Sequence, residues 1–322
     1  MTTYFITGGL GFLGQYIVKA IHDYDPGAEL RVMVRTQRKT FLGIESLPGV
    51  RWVRGDLLRP ETYAEHLRGV DAVIHNAAMV SFRKSDADAI IRANVDGTHN
   101  LIQAARAAGC PNFIFISSIS ALGFQPGRII DEDMLPDLDT KRRTDAYGYS
   151  KLVSENELRA LSRDLRVVML NPSVILGPGS ERVEMVRRAA RWLFILPMLD
   201  YVNTFVDVRD VARAVTLALT QGRSGERYIV TAWNAGMVEF TRAALKVLGK
   251  RALILPLGGA GLRLMDGLLT LLDKLHLNPG IRRLSEVNVD KPCSSDKIRR
   301  EMGWEPAFTL EGSLADTLKA DA

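Results

Sequence analysis

The stretch "FITGGLGFLGQYIV", residues 5–18, constrains the fold more than any other part of the chain. An apolar, β-rich run ends at Gly8, and Gly11 and Gly14 follow before an amphipathic helical pattern. Glycine at these places permits a tight turn, close approach of the backbone to a pyrophosphate, and close packing of helix on strand. A helix starting near Gly11 turns its unpaired N–H groups and the positive end of its dipole toward that phosphate. Glycines alone say little, but between a first strand and a first helix they predict a dinucleotide-binding turn.

The first half of the chain keeps that rhythm. "TYFITG", "ELRVMVR", "VRWVRGD", "AVIHNAA", "NFIFISS" and "RVVMLNPS" are rich in Val, Ile and Phe. Helical patterns such as "FLGQYIVKAIHDY" and "ANVDGTHNLIQAARAAG" lie between most of them. Apolar strands alternating with helices imply a parallel sheet covered on both faces, and right-handed crossovers make it doubly wound. The expected fold class is α/β, a doubly wound parallel Rossmann sheet with a smaller, mostly helical substrate lobe. After Pro172 the alternation stops; a return to the sheet layer is expected at "TFVDVRDVARAVTLAL" and "GERYIVT". These shifts divide the chain into a dinucleotide-binding domain, 1–172 and 204–232, and a discontinuous substrate-binding lobe, 173–203 and 233–322. Near the end, "SSDKIRREMGWEP" predicts a helix opened by Ser294 or Ser295 and closed by Gly303, with Pro306 barring its resumption.

Composition narrows the function. The 42 basic against 37 acidic residues are a mild excess, with no basic run interleaved with aromatics, so no nucleic-acid partner is expected. Two cysteines make no disulfide framework and suit a reducing cytoplasm. The five histidines show no metal-ligand spacing, so no metal is expected. "MTTYFITGG" enters a strand without a charged and then apolar leader, which also points to a cytoplasmic protein. The segment "GLRLMDGLLTLLDKLHL", 261–277, is apolar on all but one helical stripe. It is too short and too charged for a membrane span, which takes about 20 apolar residues. It reads as a helix packed in the smaller lobe or under a lid; peripheral membrane contact and an apolar subunit surface are the alternatives.

The second strand bears on the cofactor. An acidic residue at its end grips the ribose hydroxyls of NAD. Here Arg35 stands at that end, Arg38 and Lys39 follow, and no acid lies between Val32 and Leu42. Guanidinium and ammonium groups suit a 2′-phosphate. The expected cofactor is therefore NADP, with NAD as the other possibility.

Further motifs follow in order: "GDL" at 55–57, "HNAA" at 75–78, "NVDGT" at 94–98, "SSISALG" at 117–123, "YGYSK" at 147–151 and "NPSVILGPG" at 171–179. With the glycine turn, this set resembles the extended short-chain dehydrogenase/reductase family over nearly the whole chain. "FVDVRDVA" resembles its dihydroflavonol reductase and 3β-hydroxysteroid dehydrogenase branch. Tyr147 and Lys151 are four apart, one helical turn on one face. A phenol titrates near pH ~10, and a neighbouring ammonium lowers that toward a useful range.

The resemblance implies Ser118 as the carbonyl-orienting hydroxyl, Tyr147 and Lys151 as the proton-transfer pair, and Asn94 as a buttress of the active-site helix or of a relay water. It implies cofactor contacts at Thr7, Gly8, Gly11, Phe12, Leu13 and Gly14, and around the adenine at Asp56 and Leu57. Further along the dinucleotide it places Ala77, Ala78, Tyr147, Lys151, Pro172 and Val174. His75 reads as a packed residue rather than an acid–base group. Relatives acting on nucleotide sugars carry Arg and His where this chain has Asn203 and Asp207, which weakens that reading. The expected reaction is reduction of a ketone or aldehyde, or oxidation of the matching alcohol, on an apolar or aromatic small molecule. A sugar-nucleotide epimerase or dehydratase with retained NAD, and a non-catalytic dinucleotide sensor, are the alternatives.

The substrate is expected against Met79, Ser81, Ile119, Trp192 and Asn203. "RWLFILPMLDYVN", 191–203, would supply its wall or else lobe core, and Arg187 and Arg188 leave an anionic group open. The resemblance also implies a homodimer through a four-helix bundle. Leu101, Ile102, Ala105, Leu152 and Leu158 permit that and equally suit packing against the sheet.

Overall fold

The computed structural model describes residues 1–36, 40–81, 83–180, 195–257, 261–263, 266–267 and 289–319. Each β-rich run of the first half forms a strand: β1 (Thr3–Thr7), β2 (Glu29–Val34), β3 (Val50–Arg54), β4 (Ala72–His75), β5 (Asn112–Ile116) and β6 (Arg166–Pro172). Beyond them lie β7 (Val174–Leu176), β8 (Ile195–Leu199), β9 (Val202–Asp207), β10 (Glu226–Val230), β11 (Trp233–Gly236) and β12 (Leu253–Leu257). The helices of the first half are α1 (Phe12–Tyr24), α2 (Ala87–Ile91), α3 (Gly97–Ala107), α4 (Leu138–Thr144) and α5 (Ala146–Ala160). Those of the second half are α6 (Val208–Thr220), α7 (Met237–Val247), α8 (Asp296–Met302) and α9 (Leu310–Lys319).

Seven strands pair in the order β10-β6-β5-β4-β1-β2-β3, all parallel. The two-residue period of the strands divides their side chains between two cores. Tyr4, Ile6, Ile114, Ile116, Val168 and Leu170 face one core, shared with Ile17 and Ile21 of α1 and Val211 and Val215 of α6. Phe5, Phe113, Phe115, Val167 and Met169 face the other, shared with Leu101 and Ile102 of α3 and Leu158 of α5. Both faces are thus covered, which explains why these strands read as continuous apolar runs. The strand order reverses between β1 and β4, and ligands of such sheets bind in the crevice beyond the strand ends at that point.

The return after residue 200 differs from expectation. The strand β9 does not join the seven-stranded sheet; it pairs with β7 and β11 in a separate three-stranded one. Alternation again explains it: Val206 faces the main core, while Phe205 stacks on Phe240 at 4.7 Å in a smaller core with Leu176 and Ala235. The helix α6, not the strand, lies against the main sheet. In the tail, α8 ends at Gly303 with φ 63° in the left-handed region, where glycine carries no Cβ penalty. Beyond it Trp304 is fully buried in the main core and donates its indole N–H to the Asp210 carbonyl at 2.9 Å.

The apolar positions proposed for a dimer surface are consumed within the chain. Leu101, Ile102, Ala105 and Leu158 are fully buried against the sheet, and Leu152 is buried too. Of the two packing possibilities, Leu101, Ile102, Ala105 and Leu158 take the sheet. The outward side of α3 and α5 carries the His99–Glu157 pair at 2.7 Å and Arg106, which reaches Asp164 at 3.0 Å. No helix among the described residues is long and apolar enough to cross a membrane. Most of 261–277 lies outside the described residues, as do Arg187, Arg188 and Phe194.

Candidate active site

The chain turns out of β1 at Gly8, whose φ is +71°. A Cβ there would lie 2.6 Å from the Ala77 nitrogen, so β1 and the β4 loop approach as only glycine allows. The Gly8 carbonyl then accepts from Gly11 N–H at 3.0 Å and from the Asn76 side-chain amide at 3.2 Å. Gly11 caps α1 without a side-chain hydrogen bond, and no acid occupies the first turn. The N–H groups around Phe12, Leu13 and Gly14 therefore meet no competing anion. An uncapped 13-residue helix opening on a glycine cradle fits a dinucleotide pyrophosphate. Gln15 steadies the surround, donating to the Leu10 carbonyl and accepting from Leu42 N–H, both at 3.2 Å.

Thr7 and His75 lock the floor of this cradle. The Thr7 hydroxyl accepts from Ala77 N–H at 3.1 Å and contacts His75 Nδ1 at 2.7 Å, while His75 Nε2 meets Thr98 at 2.9 Å. Burial, with the charge of Lys151 adding to it, pushes the imidazole pKa down to about 3. His75 is a neutral bridging group, as a packed residue should be. At the end expected to take the adenine, Arg35 is exposed just past β2. Arg38 and Lys39 lie outside the described residues. Asp56 accepts from Leu58 N–H at 3.0 Å, and Asn100 donates to the Leu57 carbonyl at 3.0 Å.

Tyr147 and Lys151, the pair expected to transfer the proton, sit at the start of α5. Asp145 caps that helix by accepting from Gly148 N–H at 2.9 Å. The helical repeat then places Lys151 one turn below Tyr147, its ammonium 6.0 Å from the Tyr147 ring centroid. Lys151 is buried, donates to the Ile116 carbonyl at 2.7 Å, and lies 4.6 Å from the Phe115 ring centroid. Burial pulls its pKa down to about 7, against the opposing pull of Glu155. Ser118 follows β5, and its Oγ accepts from Ser120 N–H at 3.1 Å. That bond leaves the hydroxyl hydrogen to donate to another oxygen.

Asn94 lies in a π turn, Arg92–Asp96, between α2 and α3. Such insertions are rare and turn one side chain out of the helical register. Here Asn94 clamps the Met79 backbone, accepting from its N–H at 2.7 Å and donating to its carbonyl at 3.0 Å. It also donates to Ser150 Oγ at 3.0 Å, and Ser150 in turn donates to the Tyr147 carbonyl at 2.8 Å. Asn94 thus joins the β4 loop to the active-site helix. Ser150 and Asn76 are the residues that sequence reasoning missed. Each stands one position from a singled-out residue, but only folding shows what its polar group meets.

The remaining expected contacts are placed unevenly. Pro172 ends β6, Val174 opens β7, and between them the buried Ser173 hydroxyl has no hydrogen-bond partner. Ala77 and Ala78 follow β4 after Asn76. Met79 is partly exposed, whereas Ser81 is engaged with Asp86 at 2.6 Å. Ile119 packs toward Leu122, Ile130 and Cys293. Asn203 accepts from its neighbour Thr204 N–H at 2.9 Å. Asp207 is fully buried, caps α6 and pairs with Arg209. Leu196 and Met198 pack with Leu245 and Ile254, so those two wall candidates are lobe core. Trp192 lies outside the described residues. A cavity of about 640 Å³ between Leu122 and Thr144 includes none of Ser118, Tyr147 or the glycine turn among its walls. Among the described residues, no three His, Cys, Asp or Glu side chains could hold a metal.

A glycine turn that fits a pyrophosphate and a Tyr–Lys pair one helical turn apart, carried on a doubly wound sheet, define a class, the dinucleotide-dependent oxidoreductases. Similarity to known proteins carries this further: residues 4–236 match the NAD dependent epimerase/dehydratase family, and the chain belongs to it. It is 32% identical to the sterol demethylase protein B of Methylococcus capsulatus, over 99% of this chain and 97% of that one. It is also 32% identical to a putative dihydroflavonol 4-reductase of Synechocystis, over 70% of this chain and 67% of that one. The solved structure of gox2253 superposes with a TM-score of 0.82 at 26% identity, covering 99% of this chain and 98% of that one. The relatives include 3β-hydroxysteroid dehydrogenases, and the protein is an NAD(P)-dependent oxidoreductase of this family.

Proposed function

We propose that the protein is an NADPH-dependent carbonyl reductase acting on an apolar, ring-containing ketone or aldehyde. The observation that carries this reading is the placement of Lys151 one turn from Tyr147 on one face of α5, its ammonium 6.0 Å from the phenol ring centroid. A reduced nicotinamide dinucleotide held there supplies the hydride. The Tyr147 hydroxyl gives its proton to the carbonyl oxygen as negative charge develops on it. Ser118 donates a hydrogen bond to the same oxygen. Lys151, while charged, favours the phenolate left behind. Asn94 and Ser150 hold the helix start that carries Tyr147.

Similarity over nearly the full length to a sterol demethylase protein supports a polycyclic, sterol-like substrate. Asp207 supports reduction over nucleotide-sugar chemistry, because its carboxylate is spent on Arg209 and the α6 N-terminus. The test is NADPH oxidation across a panel of steroid ketones, aromatic ketones and aldehydes. Turnover is expected on ring ketones. Tightly retained NAD, with sugar-nucleotide interconversion and no net NADPH oxidation, would sink the reading.

Arg35 is proposed to select NADP through the 2′-phosphate. Charge-assisted hydrogen bonds are worth about 1.5–3 kcal/mol, or roughly 10–100-fold in an equilibrium constant. In Arg35→Asp, the preference for NADPH over NADH in kcat/KM is expected to fall by at least about 10-fold. An unchanged ratio rejects the role.

A further inference from the structure

A third residue completes the Tyr147–Lys151 face. Glu155 lies one further turn along α5, fully buried, and its carboxylate is the hub of a polar cluster beneath the site. One oxygen accepts from the Asn171 amide at 2.6 Å and from the Ser117 hydroxyl. The other pairs with Arg227 of β10 at 3.1 Å. The same Asn171 amide donates to the Ser118 carbonyl at 3.0 Å. Ser117 itself stands between Ile116, whose carbonyl receives the Lys151 ammonium, and Ser118. One carboxylate oxygen thus leads through Ser117 and Asn171 to the Ser117–Ser118 stretch, and the other leads to Arg227. Buried charge is costly unless paired, so so large a polar investment under one short stretch calls for an explanation beyond packing.

We propose that Glu155 is a positioning residue of the reaction: it fixes the Ile116–Ser118 backbone and supplies the counter-charge to the Lys151 ammonium. The inference rests on the reductase reading and deepens it. Arg227 is itself held from the other side, donating to the Glu132 carbonyl at 2.8 Å, while the Glu132 carboxylate takes Ile229 N–H at 2.8 Å. Among the described residues, the charged or titratable groups facing the pair are Tyr147 on α5 itself, His75 from β4 and Arg227 from β10, with Glu132, from the loop before α4, behind Arg227. His75 stays neutral at working pH. Glu155 is the acid that favours the Lys151 charge against its burial.

The two roles separate by substitution. In reduction the competent enzyme carries both the tyrosine and the lysine proton, so the alkaline limb of kcat/KM marks loss of the first of them, whichever group releases it. Glu155→Gln removes a negative charge and eases that loss, moving the limb down by about 1 pH unit. Glu155→Asp keeps the charge but shortens its reach; kcat is expected to fall about 10-fold with the limb in place. Folding is monitored by thermal melting and NADPH affinity by fluorescence titration. Should Glu155→Gln not fold, Glu155→Asp decides through kcat. A limb that stays put in folded Glu155→Gln, or wild-type kcat in Glu155→Asp, overturns the inference. Tyr147→Phe is measured on the same substrate. Retained turnover there brings down the reductase reading and this inference together, whereas its loss beside an unmoved Glu155→Gln profile removes the inference alone.

Discussion

Replacing Tyr147 by Phe is expected to lower kcat for carbonyl reduction by about 10³-fold, within the usual range for a positioned acid. The phenol oxygen is the only atom removed, and the ring that packs near Lys151 remains. The variant should therefore still fold, and NADPH titration checks that the cofactor still binds. Tyr149→Phe is the control. Tyr149 lies on the same helix but faces Arg142, whose guanidinium is 5.8 Å from its ring centroid, and that partner is exposed. It should keep near-wild-type turnover. Single-turnover measurement of NADPH oxidation on one identified ketone separates the two. Full turnover in Tyr147→Phe would falsify the assignment of the acid; equal losses in both variants would show a damaged helix start instead.

The legible part of this protein is the part written in periodicities and glycine spacings. The six strands of the first half and α1 follow directly from apolar runs and an amphipathic repeat, because both faces of a parallel sheet demand apolar residues. The Gly8–Gly11–Gly14 turn and the Tyr147–Lys151 spacing were readable because local geometry alone fixes them. The destination of β9 was not. Its residues Phe205 and Val206 are equally apolar, and only the tertiary structure assigns them to different cores. The apolar residues of α3 and α5 left two partners open for a related reason: an apolar stripe on a helix says that something covers it, not whether a sheet or a second subunit does. The cluster around Glu155 draws on residues 117, 155, 171 and 227, whose meeting no spacing along the chain announces.

Gly14→Ala is expected to do the most damage to cofactor binding, with NADPH affinity falling by at least about 100-fold, or roughly 2.7 kcal/mol. The added Cβ would lie 2.0 Å from the Gly8 carbonyl oxygen and 2.8 Å from the Gly9 Cα, both backbone atoms. No side-chain rotation relieves such a contact, so either the turn opens or α1 moves away from β1. Opening the turn costs the Gly11 and Asn76 bonds that converge on that same carbonyl. Moving α1 withdraws the N–H groups meant for the pyrophosphate. Overpacking of this kind typically costs about 1–3 kcal/mol, so a lower melting temperature should accompany the loss of affinity. Gly11→Ala provides the contrast. Its backbone is ordinary, with φ −72°, and its nearest neighbour beyond the adjacent residues is the Gly8 oxygen at 3.3 Å. It should melt near wild type and lose affinity only through crowding of the ligand. Thermal melting with and without NADPH reads both effects at once. An unaltered NADPH-induced shift in Gly14→Ala would mean that the dinucleotide does not sit on this turn.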